Sequence, residues 1–221
     1  MTCKYDGLGR RRERVMGGVT NRYVYDNWNV VAVLDGNDDV LETYIHGPDL
    51  SGAIGGAGGI GGILATWNLE SGTWNFFHSD GNGNVVSLAD SNQAVVASYE
   101  YSPFGQVLAK TGNFDSRYQF SSKEYDEAVG LNYYGYRFYS PQLGRWLSRD
   151  PFAEEQSFAV FDFNVLDGSV LLIDQNLYAF AYNKPVDKWD FLGGGLLCEC
   201  GYSPPIVGIK LPMGSGINGV S

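Results

Sequence analysis

Apolar and polar positions alternate with a period of two along much of this chain. Val19 to Tyr25 alternates and is rich in β-forming residues, Asp26-Asn27-Trp28-Asn29 carries turn chemistry, and Val30 to Leu34 resumes the alternation. A period of two sends successive side chains to opposite faces of a sheet. Asp-Gly and Asn-Gly pairs favour two-residue hairpin turns, because both central positions accept positive φ. The predicted unit is therefore a strand-turn-strand hairpin. One hairpin is barely stable alone, whereas stacked hairpins bury a continuous face.

The unit recurs. Tyr5-Asp6-Gly7-Leu8-Gly9-Arg10 returns in altered form as Tyr25-Asp26-Asn27-Trp28-Asn29-Val30. A third copy reads His78-Ser79-Asp80-Gly81-Asn82-Gly83-Asn84-Val85 and a fourth Tyr99-Glu100-Tyr101-Ser102-Pro103-Phe104-Gly105-Gln106-Val107, while Tyr44-Ile45-His46-Gly47 keeps the phase more loosely. Residues 1–112 thus read as a repeat region and residues 113–194 as a second, differently patterned unit. Residues 195–221, rich in Gly and Pro, read as a tail or the start of a truncated variable region. Within the second unit, Lys123 to Leu131 suggests a turn or one short helical turn. The aromatic alternation Tyr133 to Tyr139 suggests a strand, and Phe152 to Asp174 an insertion. The expected fold class is all-β: stacked antiparallel hairpins forming part of a β shell, closed by a compact carboxy-terminal core or plug.

Composition supports this picture. With 44% hydrophobic and 18% charged residues a packed core can form, and 30 Gly, 15 Tyr and 12 Phe suit many short strands joined by tight turns. The net charge of −10 argues against a nucleic-acid partner and against docking on anionic lipid. The local run Arg10, Arg11, Arg12 and Arg14 reads as a solvated strand edge, since charged edges block unwanted pairing. Cys3, Cys198 and Cys200 give no disulfide framework, and with only His46 and His78 to help, no metal site is expected. No cofactor is implied. No apolar run reaches membrane-spanning length, and Met1 to Asp6 lacks the apolar core of a signal peptide. The chain opens as if in mid-repeat, so it is expected to be a piece of something longer.

Two apparent motifs weaken on inspection. Gly56-Ala57-Gly58-Gly59-Ile60-Gly61 matches G-x-G-x-x-G, but Gly61-Gly62 would break the helix that a dinucleotide site needs next, so a flexible inter-repeat hairpin is the expectation. Aromatics at strand spacing are read as packing, with glycan binding as the lesser alternative. No serine nucleophile elbow or histidine pair suggests an ordinary hydrolase.

The densest block is Gly130-Leu131-Asn132-Tyr133-Tyr134-Gly135-Tyr136-Arg137-Phe138-Tyr139-Ser140-Pro141, followed by Leu143-Gly144-Arg145-Trp146-Leu147-Ser148-Arg149-Asp150-Pro151. It resembles the G-L-Y-Y-x-R-x-R-Y-Y-D-P-x-x-G-R-F-x-S-x-D-P signature of the Rhs repeat-associated core. Asn176-Leu177-Tyr178-Ala179-Phe180-Ala181-Tyr182-Asn183-Lys184-Pro185-Val186 is similar to that family's N-L-Y-x-Y-x-x-N-x-P-V segment, and Asp190-Phe191-Leu192-Gly193 falls where the family has D-P-x-G. The likeness covers roughly residues 4 to 194. It differs at Ser140 (usually Asp), Phe191 (usually Pro) and Gly194 (usually Leu).

The resemblance implies a bacterial Rhs/YD-repeat protein, related to the C components of Tc toxins and to teneurins. In that family a hollow β shell encloses a carboxy-terminal toxin, and the core acts as an aspartyl autoprotease that cuts just after the D-P-x-G-L segment. Carried over, Asp150 matches the catalytic aspartate, with Arg149 or Arg145 as a neighbouring cation. Asp174 and Asp190 are alternatives for the second carboxylate, and Leu192, Gly193 and Gly194 form the cleavage segment. Two adjacent carboxylates cannot both ionise easily, so one keeps a proton while the other acts as base. The implied partners are the chain's own toxin region, truncated or lost here, and further YD repeats of the parent chain. The implied location is secreted or at the bacterial cell surface. The alternative is a catalytically silent YD-repeat surface module for structure or adhesion, with glycans as ligand.

Overall fold

The computed structural model describes residues 1–151, 176–194 and 197–199. Ten strands follow one another as a single antiparallel meander: β1 (Thr2–Tyr5), β2 (Arg11–Met16), β3 (Val19–Asp26), β4 (Asn29–Leu34), β5 (Val40–His46), β6 (Ile63–Asn68), β7 (Thr73–Ser79), β8 (Val85–Asp90), β9 (Val95–Tyr101) and β10 (Val107–Gly112). Each strand pairs only with its neighbours in sequence. This is the all-β, stacked-hairpin architecture that the period-two pattern predicts.

The turns divide into two chemistries. Met16 pairs with Val19 and Asp26 with Asn29, so these two loops have only two residues between the strands. The rest of the aspartate turns are longer. Asp6, Asp35, Asp80 and Asp90 each accept two backbone N–H groups on Oδ1, from the second and fourth residues after them. Ser102 Oγ accepts from Gln106 N in the same role. The carboxylate thus satisfies the donors that a tight loop would leave unpaired. The residue three after the aspartate sits at positive φ, as at Gly83 (φ 76°) and, outside glycine, at Asp38 (70°) and Gln93 (66°). The copy at Asp90 escapes a search for Asp-Gly pairs, because Asp90-Ser91-Asn92-Gln93 retains the carboxylate and its bonds without a glycine.

One face of the meander carries a core of Tyr23, Val33, Tyr44, Ile63, Phe77, Leu88, Ala97 and Tyr99, joined by Tyr118 from the following segment. The second unit begins with a tight turn at Phe120–Ser122. It continues as a four-stranded antiparallel sheet: β11 (Glu124–Asp126), β12 (Leu131–Tyr133), β13 (Phe138–Ser140) and β14 (Arg145–Trp146). Its own aromatic core gathers Phe120, Tyr134, Tyr139, Trp146 and Phe180, with Tyr139 and Phe180 ring centroids 4.1 Å apart. β15 (Lys188–Asp190) then pairs with β16 (Leu197–Glu199).

Three local expectations change. Lys123 to Leu131 opens with the strand β11, and the expected turn is confined to residues 127–130, where Gly130 N donates to Asp126 O at 2.8 Å. Tyr133 to Tyr139 is two strands, because Gly135 (φ 117°) reverses the chain between them and Tyr134 N donates to Arg137 O at 3.1 Å. The arginine run is a solvated edge only at Arg12, which is exposed. Arg11 has no exposed surface and Arg14 pairs with Asp126 across 2.6 Å. The insertion from Phe152, with Asp174, lies outside the described residues, as does most of the stretch after Gly194.

Candidate functional site

The second unit is fixed to the meander by buried charge. The Arg11 guanidinium lies between the rings of Tyr23 and Tyr133, at 4.7 and 4.2 Å, and donates to Glu124 Oε2 at 2.5 Å. Glu124 Oε1 accepts from Tyr23 Oη at 2.8 Å and from Arg117 Nη1 at 3.4 Å. Burial pushes the Glu124 carboxyl up, but Arg11 and Arg117 outweigh it and hold the group below its ordinary value. A charge so placed needs every partner it has.

This anchoring presents one face of the second sheet to the segment after β15. Arg137, between the Gly135 reversal and β13, is 3% exposed and stacks its guanidinium 4.2 Å from the Trp146 ring. Its Nη2 reaches Asp150 Oδ2 at 2.8 Å and Asp190 Oδ2 at 3.0 Å, so a single nitrogen bridges two buried carboxylates. Its Nη1 donates to Leu177 O at 3.3 Å and its Nε to Gly193 O at 2.5 Å. The planar fork lets one side chain address four acceptors at once. Burial lowers the Arg137 pKa although Asp190 and Asp150 both pull it up.

Each carboxylate is placed by main chain. Asp150 follows β14 and its N–H donates to Leu177 O at 3.2 Å. Asp190 ends β15, and its Oδ1 accepts Gly193 N at 2.8 Å and Gly194 N at 3.1 Å. The segment Phe191 to Gly194 is therefore folded back over its own aspartate. Tyr136 N donates to Leu192 O at 3.0 Å, and a β-carbon on Gly193 would meet Arg137 N and Cβ at 3.2 Å. On the other side, Lys123 Nζ donates to Phe191 O at 3.2 Å and to Gly58 O at 2.7 Å. Burial pushes the Lys123 amine down to about 8 against the pull of Asp190 and Asp49.

Gly58 belongs to the glycine-rich connection between β5 and β6. This connection is wrapped around buried Asp49, whose Oδ2 accepts Ala57 N at 2.7 Å and Gly59 N at 3.0 Å. The flexible hairpin expected there is instead a hydrogen-bonded loop that packs against the site.

Among the residues singled out from the sequence, the fold brings together Asp150, Asp190, Leu192, Gly193 and Gly194. Arg149 and Arg145 are exposed, and the Arg145 guanidinium lies 4.8 Å from the Tyr178 ring. The guanidinium between the two carboxylates belongs to Arg137. Asp174 lies outside the described residues. Arg137 and Lys123 were missed. Arg137 stood within the quoted signature, but nothing in its spacing from Asp150 says that the two meet. Among the described residues no group of three or more His, Cys, Asp or Glu could hold a metal ion.

A sequential β meander capped by an aromatic core with a buried two-carboxylate site defines a β-shell module of the Rhs/YD-repeat class. Residues 1–186 match the teneurin YD-shell family, and the chain belongs to it. The tRNA3(Ser)-specific nuclease WapA of Bacillus spizizenii is 31% identical over 194 residues, 86% of this chain and 7% of that protein. The toxin subunit YenC2 of Yersinia entomophaga is 43% identical over 77 residues, 33% of this chain and 7% of that one. The crystal structure of TcdB2-TccC3 superposes with a TM-score of 0.57 at 24% identity, over 86% of this chain and 9% of the other. The chain thus spans a small part of these relatives.

Proposed function

We propose that this module forms part of a β shell around a carboxy-terminal toxin region of its own polypeptide, and that it frees this region by aspartyl self-cleavage near Gly193-Gly194; the contacts favour the Gly193-Gly194 bond, one residue before the position that the family signature implies. The observation that carries the reading is the seating of the Gly193-Gly194 peptide between Asp190, Arg137 and, through Arg137, Asp150.

The chemistry follows from these contacts. The reaction requires one proton on the pair, and the step assigns it to Asp190. Asp150 takes a proton from water as the water oxygen bonds to the Gly193 carbonyl carbon. Negative charge develops on Gly193 O, where Arg137 Nε already donates. Asp190, whose Oδ1 accepts the Gly194 N–H before the reaction, gives the carboxyl proton to the departing nitrogen as the C–N bond breaks. The products are a Gly193 carboxyl group and a Gly194 amine, with the remaining proton on Asp150.

Intact mass of the expressed chain tests this, wild type against Asp150→Asn and Asp190→Asn. Loss of a tail at Gly193-Gly194 in the wild type alone supports the reading. An uncut wild type overturns it and leaves the silent structural or adhesive module, for which the Trp67–Trp74 cross-strand pair (centroids 5.4 Å apart) offers an aromatic surface to glycans. The shell reading carries a secreted or cell-surface location and pairing with further YD repeats of the parent chain. Among the described residues no helix is long and apolar enough to cross a membrane.

A further inference from the structure

Lys123 is a buried cation that the chemistry above leaves without a task. Its side chain reaches the site from the turn Phe120–Ser122, which is itself inserted between two hairpin loops of the meander. Ser122 Oγ donates to Gly83 O at 2.8 Å and accepts Gly61 N at 2.9 Å, while Ser121 N donates to Asn84 Oδ1 at 2.9 Å. Ser121 and Ser122 hold φ values of 53° and 50°, a conformation that costs a non-glycine residue energy and persists only when its surroundings enforce it. The result is to deliver one ammonium group to two backbone carbonyls from different parts of the chain, Gly58 O and Phe191 O.

We propose that Lys123 is the positioning residue for the Asp190 to Gly194 segment: its Nζ clamps Phe191 O to Gly58 O and so holds the peptide to be cut in register with Arg137 and Asp150. This rests on the self-cleavage reading for its purpose, but the clamp itself can be measured without cleavage. Asp190 is anchored at β15, and Gly193 and Gly194 are anchored on Asp190 and Arg137. Phe191 lies between, and Lys123 is the side chain that holds its carbonyl. Gly58 is the complementary half of the device. It has φ 65°, and a β-carbon there would collide with the Phe191 carbonyl. A lysine suits the task because three donors on one nitrogen can serve two carbonyls, with the Tyr134 ring face 5.4 Å from the charge.

The test is backbone amide exchange of the 221-residue chain in an Asp150→Asn background, which keeps the segment joined, for Lys123, Lys123→Met and Gly58→Ala. Methionine matches the stem length and removes the buried charge, so folding is retained. Exchange in β6 and β12 serves as the control. Both substitutions are expected to raise exchange at Gly193 and Gly194 roughly tenfold, the size of one lost charge-assisted hydrogen bond. With lysine present, protection of these two amides should weaken as pH rises through about 8, where the amine facing Asp190, Asp49 and Tyr134 loses its charge. In Lys123→Met that pH dependence should vanish. In the otherwise wild-type chain, Lys123→Met should slow self-cleavage by a similar factor. Unchanged exchange at Gly193 and Gly194 overturns the proposal. An uncut wild type overturns self-cleavage instead, and the exchange result still decides the clamp.

Discussion

Arg11 and Glu124 stand 113 positions apart in the chain, yet their side chains meet at 2.5 Å with almost no exposure, one from the second strand of the meander and one from the first strand of the core sheet. Breaking a buried pair by removing one partner leaves an uncompensated charge, at a cost of about 3–5 kcal/mol. Arg11→Met should therefore lower urea stability by about that amount, and Glu124→Met likewise. The double substitution should lose much less than the sum, because Arg117, the charge left behind, still pairs with Glu42 at 3.0 Å. Equilibrium unfolding of the three variants gives the coupling, and additive losses would refute the link.

The pair also predicts an acid limb. The folded-state pKa of Glu124 is depressed, so its contribution is present above the unfolded value near 4.5 and is lost as pH falls through the folded value. Unfolding midpoints measured from pH 6 downward should fall through this window, and the fall should be smaller in the double variant.

Lys123 gives the opposite limb at high pH. Its folded pKa of about 8 lies below the unfolded value of about 10.4, so the unfolded chain binds more protons between the two. Its burial weakens the fold below about pH 8, and stability should rise as pH climbs from there toward 10. Lys123→Met should be more stable than wild type at pH 7 and lack this rise. A wild-type profile flat across that range would contradict the assignment.

Arg137 combines positioning with charge. Arg137→Gln removes the donor on Gly193 O and the bridge between Asp150 and Asp190, and the proposed self-cleavage should slow on the order of 10²–10³-fold, the loss seen for one oxyanion donor. Arg137→Lys keeps charge but loses the fork, and should recover little of this. Time courses by intact mass would show it, and a Lys variant as fast as wild type would reduce Arg137 to a counter-ion.

The turns offer a paired control. Gly83 has φ 76°, and a β-carbon there would strike Ile60, whereas Gly81 in the same loop faces open space. Gly83→Ala should cost about 1–3 kcal/mol, from strain and overpacking, and Gly81→Ala close to nothing. Thermal unfolding distinguishes them.

The sequence by itself determined the hairpins. Alternation in β3 and β4 and the aspartate turn chemistry are local, and local rules decide which residues pair across a short loop. By resemblance to the Rhs core it also grouped Asp150, Asp190 and Leu192 to Gly194 as one candidate site. Tertiary structure decided the rest. The arginine run looks like a solvated edge until Glu124 and Asp126 arrive from more than a hundred residues away. Gly56 to Gly61 looks slack until Asp49 gathers its amides. Arg137 and Lys123 each carry one charge and no distinguishing pattern. Their roles come from what they are buried against, and burial depends on how the core sheet docks on the meander, which no local periodicity encodes.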